Sequence, residues 1–512
     1  MNRKALYITL FGLTVALLAL PAVQQYAKLF TFRPLNGVTV EQEQPRLTFK
    51  SFMDGSFQSQ EDRYLSEHVG FREPLVRCYN QLCWSLFRST QNKTIYINDD
   101  NYIFTDFTVK HHYGQSVYDF GDSSEAVIQK MQASAVMLYQ LQTLLKEYGV
   151  SFFVCLAPGK DLVCEEHVPK VKGFDRPPGV WAISYFPPVF DSLGINYLDF
   201  SDYCLQIKDT VSYPLYLKSS SHWSHQTAAY MADTLFHYME HLGGFNMHDL
   251  RYSEPYLAPT RDPDADLECV MNLLWPIETD QNYYVDVSLD DDTAAIQPRW
   301  LCIGDSYYWE WHYGLPLDQL FSTHHFWYYN NTVFSDPLHS NVNEVDLLRE
   351  LLSSDVVMLL YAPSNLYNLN RRFLTNALCA FYYEDGTLES TVEKIKQDIR
   401  NTPEWIADIE RQAAEKGQPV DQVLEENARY ALMDTPAAYF DEFKEARVPS
   451  CRNSRVAKVL SELQDPVRED YRRQIVGNED WLNLIREKAR QGGITLDEAI
   501  EKDIDWMLAN PN

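Results

Sequence analysis

Positive charge is what this sequence has least of. Its 44 lysines and arginines stand against 72 acidic residues, leaving a net charge of −28 over 512 residues. A chain this acidic repels nucleic acid phosphates and an anionic lipid surface, so neither is expected as a partner. Metal and redox cysteine motifs are also lacking. The nine cysteines, an odd number, leave at least one unpaired within a monomer, and spacings such as Cys78 to Cys83 and Cys155 to Cys164 fit no zinc or redox pattern. The 13 histidines show no paired ligand spacing either, so no metal and no cofactor are expected. Cys155 and Cys302 sit inside apolar runs, where a thiol behaves as a small core residue. Aromatics, by contrast, are plentiful at 14%, with 33 Tyr and 11 Trp. That fits a large core, a carbohydrate-facing cleft, or both. The length calls for two or three folded units.

One long hydrophobic run is present, and it is terminal. After Arg3 and Lys4, Ala5 to Val23 carries no charge, about the length a membrane-spanning helix needs. A cleaved signal peptide ending near Ala22 is the alternative, but Leu20-Pro21-Ala22 is a poor small-x-small site. The expectation is an uncleaved anchor over 1–30, with the rest of the chain outside the cytoplasm.

Residues 31–94 read as an extended linker and a helical lead-in, ending in an amphipathic stretch with Leu75, Tyr79, Leu82 and Leu86 at helical spacing. "TIYINDDNYIF" predicts two short strands around an Asn-Asp-Asp-Asn turn. Over 95–386, strand-like runs alternate with helical patterns, the mark of an α/β sheet. "SFFVCLAP", "GINYLDF", "RWLCIGDS" and "DVVMLLYAPS" are the strand candidates, and "EAVIQKMQASAVMLYQLQTLLKEYGV" and "MADTLFHYMEHL" the helices. From 387 to 512 strand signals vanish. Here "NTPEWIADIERQAAEKGQPVDQVLEENARYAL" recurs as "GNEDWLNLIREKARQGGITLDEAIEKDIDWML". Trp405 aligns with Trp481, Ile409 with Ile485, Ala413 with Ala489, Gly417 with Gly493, Asp421 with Asp497 and Tyr430 with Trp506. Each copy reads as a helical hairpin with a glycine stop, and the pair as an all-α accessory module.

Two short segments carry chemistry. In "IGDSYYW", Ser306 follows an apolar strand at a turn, where a serine hydroxyl stands above a sheet and nearby N–H groups can hold an oxyanion. In "SSSHWSHQTAAYMAD", His222 and Trp223 lie on a turn just before an amphipathic helix. A turn serine and a turn histidine at the edge of one α/β sheet make a nucleophile and a base. Taken singly, an N-cap serine and a structural histidine account for them better.

These segments resemble blocks of a known family. "PLYLKSSSHWSHQTAAYMAD" is similar to the Asp-x-His-Trp segment of the DHHW and alginate O-acetyltransferase (AlgJ/AlgX-type) proteins, which are SGNH-hydrolase-like. "FFVCLAPGKDLVCEEHVP" resembles their strand and Pro-x-Lys segment, here Pro158-Gly159-Lys160. "DGSFQSQEDRYLSEHVGFREPL" resembles their juxtamembrane region, and "CIGDSYYWEW" their Gly-Asp-Ser block, with histidine upstream of serine. The resemblance spans residues 35–385. It implies an SGNH-like three-layer α/β/α domain in the periplasm, held by a single pass through the inner membrane. It further implies acetyl transfer to hydroxyls of an exported or surface polysaccharide, with a membrane-bound O-acyltransferase as donor. Carried over by position, Ser306 is the nucleophile and His222 the base. Trp223, Tyr307 and Asn330 are possible substrate contacts, the last within the aromatic run "HHFWYYNN". Lys160 reads as a packing or salt-bridge position.

One acid is missing. The family's carboxylate two residues before the histidine is Ser220 here, and a hydroxyl does not stabilise an imidazolium by charge. Asp202 and Asp209, slightly upstream, are the candidate substitutes. Two other readings therefore stand beside acetyl transfer: an acetyl esterase on the same site, and a catalytically silent glycan-binding or assembly subunit.

Overall fold

Four long apolar runs form the centre of a six-stranded sheet or its flank. The computed structural model describes residues 3–37, 43–115, 125–174, 181–261, 263–275, 277, 282–449, 451 and 453–510. Part of the expected linker, 38–42, lies outside the described residues. The chain divides into two units, one of Met1–Asp106, Lys218–Ser221 and Thr260–Asp280, the other of Phe107–Leu217, His222–Pro259 and Gln281–Asn512.

The first unit holds the apolar helix α1 (Arg3–Ala27) and helix α2 (Arg72–Phe87). It also holds the antiparallel pair Ile95–Ile97 and Ile103–Thr105. The turn of that pair works through its asparagines. Asn98 Oδ1 accepts from the Asp100 and Tyr102 N–H groups, and Asn101 takes a left-handed φ of 65°.

The second unit holds β1 (Ser151–Leu156), β2 (Tyr197–Asp199), β3 (Arg299–Gly304), β4 (Thr323–Tyr328), β5 (Thr332–Phe334) and β6 (Val356–Tyr361). Their spatial order is β5-β4-β3-β6-β1-β2, parallel throughout except for the antiparallel edge strand β5. The runs of β1, β3 and β6 are apolar at nearly every position because both faces of a parallel sheet are covered. Phe152, Val154, Leu156, Leu301, Ile303, Val357, Leu359 and Tyr361 join one cluster with helix α3 (Glu125–Glu147) and helix α5 (Phe373–Tyr382). On the opposite face, helix α4 (His225–Gly243) sets Tyr238 edge-on to Phe153 and Phe236 edge-on to Trp300. The result is an α/β/α domain, as the sequence blocks imply. The aromatic run "HHFWYYNN" supplies most of β4, which the polar start of that run conceals.

The helical tail comprises α6 (Asp385–Asn401), α7 (Pro403–Lys416), α8 (Val420–Asp434), α9 (Ser454–Leu463), α10 (Pro466–Val476), α11 (Glu479–Gly492) and α12 (Leu496–Ala509). Gly417 and Gly493 both end a helix in the left-handed region, at φ 64° and 61°, and the paired Ile409/Ile485 and Ala413/Ala489 are all buried. The two hairpins dock differently, however. Ile409, Val423, Leu424 and Leu432 of the first join the same apolar cluster as α3 and α5. Gln140 of α3, with no exposed surface, reaches the carbonyls of Glu442, Glu445 and Arg447 at 2.6, 3.1 and 2.8 Å. The second hairpin has a small cluster of its own, around Ile475, Ile485 and Ile500. Charge ties it to the region after β5. Asp497 pairs with Arg472 and lies 3.3 Å from His339, whose other ring nitrogen is 2.6 Å from Asp336.

Candidate active site

Ser306 sits on the turn between β3 and the short helix Tyr308–Gly314, at the carboxyl end of a central parallel strand. The strand that delivers it must end in glycine. A Cβ on Gly304 would lie 2.5 Å from the Leu360 carbonyl oxygen, so only a bare α-carbon lets β3 and β6 approach this closely. Asp305, next along, is fully buried and fixes the turn. Its Oδ2 accepts from the Ala362 N–H at 2.7 Å and Asn365 Nδ2 at 2.8 Å, and its Oδ1 from the Tyr307 N–H at 3.2 Å. Burial raises the Asp305 carboxyl above its ordinary value, against the pull of those donors and of His222.

The histidine comes from a loop that closes on itself. Tyr216 and Trp223 pair as an antiparallel bridge, and the Ser224 N–H donates to the Leu215 carbonyl at 2.8 Å. Ser224 also caps α4 through the Thr227 N–H. Deep supports hold this loop. Lys160 Nζ, buried, donates to the Leu217 carbonyl at 3.0 Å, and the Tyr216 hydroxyl donates to the Pro158 carbonyl at 2.7 Å. The Pro-x-Lys segment thus carries the histidine loop rather than reacting itself. His222 Nε2 then lies 2.7 Å from Ser306 Oγ, with the ring 5.0 Å from Tyr307 and edge-on to it. For Nε2 to accept the serine proton, Nδ1 must carry the imidazole proton.

The other sequence candidates fall in different places. Trp223 has no exposed surface and packs against Phe200, Tyr307 and Trp311, so its ring presents nothing to a ligand. Tyr307 is nearly buried, and its hydroxyl meets that of Tyr216 at 2.8 Å. Asn330 lies in the turn after β4 and donates to the Arg371 carbonyl at 3.0 Å. Arg371 in turn lies over the Tyr329 ring at 4.4 Å and donates to Asn365 Oδ1 at 2.7 Å. Asp202 and Asp209 both face solvent, and neither is bonded to His222. Ser220 belongs to the first unit and is fully buried. Its neighbours are pinned: Ser219 Oγ donates to the Asp264 carbonyl at 3.3 Å, and the Ser221 N–H and hydroxyl both donate to Asp266. Sequence reasoning missed Asp266, Asn365 and Arg371. Asp266 opens a single helical turn, Asn365 lies in a 3-10 turn and Arg371 just beyond it, and no local pattern marks them.

The arrangement has what acyl chemistry asks of a serine: a base in hydrogen-bond contact and a main-chain N–H at the same residue. The Ser306 N–H makes no hydrogen bond among the described residues. No family model matches the chain, and no curated protein does. Solved structures similar to it include the O-acetyltransferase domain of Pseudomonas putida AlgJ, at 15% identity and a TM-score of 0.35, covering 53% of this chain and 92% of that one. Pseudomonas aeruginosa AlgX follows at 14% identity and 0.34, covering 55% and 68%. Bacillus cereus PatB1 with a sulfonyl adduct is similar at 12% identity and 0.33, covering 53% and 97%.

Proposed function

We propose that this chain transfers acetyl groups to hydroxyls of an exported or surface polysaccharide through an acetyl-serine intermediate. The observation that carries the reading is the 2.7 Å contact between His222 Nε2 and Ser306 Oγ at a parallel strand end. His222 takes the Ser306 proton as Oγ attacks the acetyl carbonyl, and the Ser306 N–H faces the oxyanion. The leaving group takes the proton from the imidazolium and departs. A sugar hydroxyl then gives its proton to Nε2 and attacks the acetyl-serine. Collapse returns the proton to Ser306 and releases the ester. In this reading α1 is the anchor in the inner membrane, the domain lies in the periplasm, and a membrane-bound O-acyltransferase supplies the acetyl group. The test is incubation of the protein with a soluble acetyl ester, followed by peptide mass spectrometry. An acetyl adduct on Ser306 is expected, and its absence from a folded, substrate-saturated protein overturns the reading.

Ser220 favours a second reading, a catalytically silent glycan-binding subunit. Neutralising the residue at the acid position is worth about 10⁴ in turnover in the serine proteases, and Ser220 is such a neutral residue.

A further inference from the structure

The charge that keeps this protein off an anionic surface is unevenly spread. Residues 28–100 contain nine lysines and arginines and nine acidic residues, so the whole excess of −28 lies elsewhere. Within this neutral stretch, α2 is amphipathic the wrong way round for a soluble helix. Its inner face buries Trp84, and Asn80 donates to the Met271 carbonyl at 2.9 Å. Its outer face carries Leu75, Tyr79, Leu82 and Leu86, at successive helical turns and 55, 56, 58 and 69% exposed. Trp275, 66% exposed, is held alongside by its N–H on Gln81 Oε1 at 3.1 Å. Apolar side chains lined up in water this way mark a contact surface.

The root of α2 says what the contact is. Gly70 packs so tightly on the last turns of α1 that a Cβ there would lie 2.1 Å from the Pro21 carbonyl oxygen. Phe71 sits 6.2 Å from Phe30 and 5.5 Å from Phe32, ring to ring. Arg77, one turn into α2, donates to the carbonyls of Arg33 and Pro34 at 2.8 and 2.7 Å. So α2 starts where α1 ends and is fastened there. A stripe from Leu75 to Leu86, eleven steps of 1.5 Å, runs about 16 Å from that point. Tyr79 and Trp275 are the residue types that settle at headgroup level.

We infer that α2 lies on the membrane leaflet from which α1 emerges, with Leu75, Leu82 and Leu86 seated among the lipid acyl chains and Tyr79 and Trp275 at the headgroups. The inference rests on α1 being a retained anchor. A neutral segment meets no net repulsion from anionic lipid, so charge does not oppose the contact. Buried apolar area on an interfacial helix adds to the hold of the anchor and restricts its swivel.

Photo-crosslinking of the full chain in vesicles of phosphatidylethanolamine and phosphatidylglycerol tests this. A benzophenone side chain is placed at position 82, at position 13 within α1, or at the exposed position 430 of the helical tail. Lipid adducts at 82 are expected, with none at 430. No adduct at 82, or an adduct there to a second copy of the chain, overturns the inference. So does an adduct to another protein when the same variant is irradiated in native membranes. Position 13 reads the anchor separately: adducts at 13 without any at 82 leave the anchor standing and remove only the surface helix. An adduct at 82 without one at 13 ends the anchor reading and overturns the inference with it.

Discussion

The hydroxyls of Tyr216 and Tyr307 meet at 2.8 Å, tying the loop that carries His222 to the turn that carries Ser306 through a bond made by neither of those two side chains. Tyr216 also donates to the Pro158 carbonyl, so one phenol serves three segments. Tyr216→Phe therefore removes two buried hydrogen bonds at once, a loss of about 1–3 kcal/mol. We expect acetyl ester turnover to fall roughly tenfold as the serine–histidine geometry loosens. Calorimetry together with steady-state kinetics checks both, and wild-type kcat in the variant would refute the positioning role.

Ser306→Ala should abolish glycan acetylation in cells while leaving expression and melting temperature close to wild type. The serine is only half-buried and at a turn, so removing its hydroxyl opens no large cavity. Acetylation at wild-type level in this variant would end the nucleophile assignment.

Ser220→Asp restores a carboxylate at the family's acid position. Two opposite effects are expected together. Ester hydrolysis should rise above wild type, because a charge at that position supports the imidazolium. Stability should fall, because Ser220 has no exposed surface and a buried carboxylate loses its hydration. Hydrolysis rates and thermal melts on the same preparation separate the two. A lower rate at full foldedness would mean that the histidine gains nothing from an acid there.

Deleting residues 387–512 should yield insoluble protein. The sequence repeat suggests a detachable module, but Ile409, Val423, Leu424 and Leu432 share one apolar cluster with α3 and α5. Removing them leaves those helices facing water. Ile409→Ala, which opens a cavity in the common cluster, should cost about 2–5 kcal/mol of the stability of the whole domain. A soluble truncation with undiminished ester hydrolysis would contradict this.

His339 makes stability depend on alkaline pH. Between Asp336 and Asp497 its pKa is raised from the ordinary histidine value to about 10, although burial opposes the shift. The stabilisation is present in full below the unfolded value near 6.5 and is lost as pH rises through about 10. Melting temperature should decline across that interval in wild type, and the decline should flatten in His339→Gln.

The sequence discloses elements whose own pattern determines them and conceals those that depend on partners. β1, β3 and β6 are legible because strands covered on both faces are apolar throughout. The hairpin around Asn98 is legible from its turn chemistry. β4 is not, since His324 and His325 look polar. His324 is nevertheless tucked against Tyr308, at 3.1 Å, and His325 against Glu350, at 2.6 Å. At the site, Ser306 and His222 are legible as turn residues. The expectation of a sugar contact from Trp223 meets a ring with no exposed surface, a burial that its place on a turn does not reveal. Whether a tail docks or dangles is likewise invisible locally, because it depends on what α3 presents to it.

Asp421 and Asp497 occupy the same place in two hairpins of one shape, yet the first stands in solvent and the second is buried among His339, Arg472 and the Asp346 N–H. A duplicated unit has thus come to adhere by two different forces. The apolar attachment of the first copy weakens on cooling, and excluded salts such as sulfate strengthen it. The ionic attachment of the second holds better with warming, as the cost of stripping water from charges declines. One protein consequently carries, in two copies of the same hairpin, two attachments that cooling loosens, of which excluded sulfate tightens the apolar one.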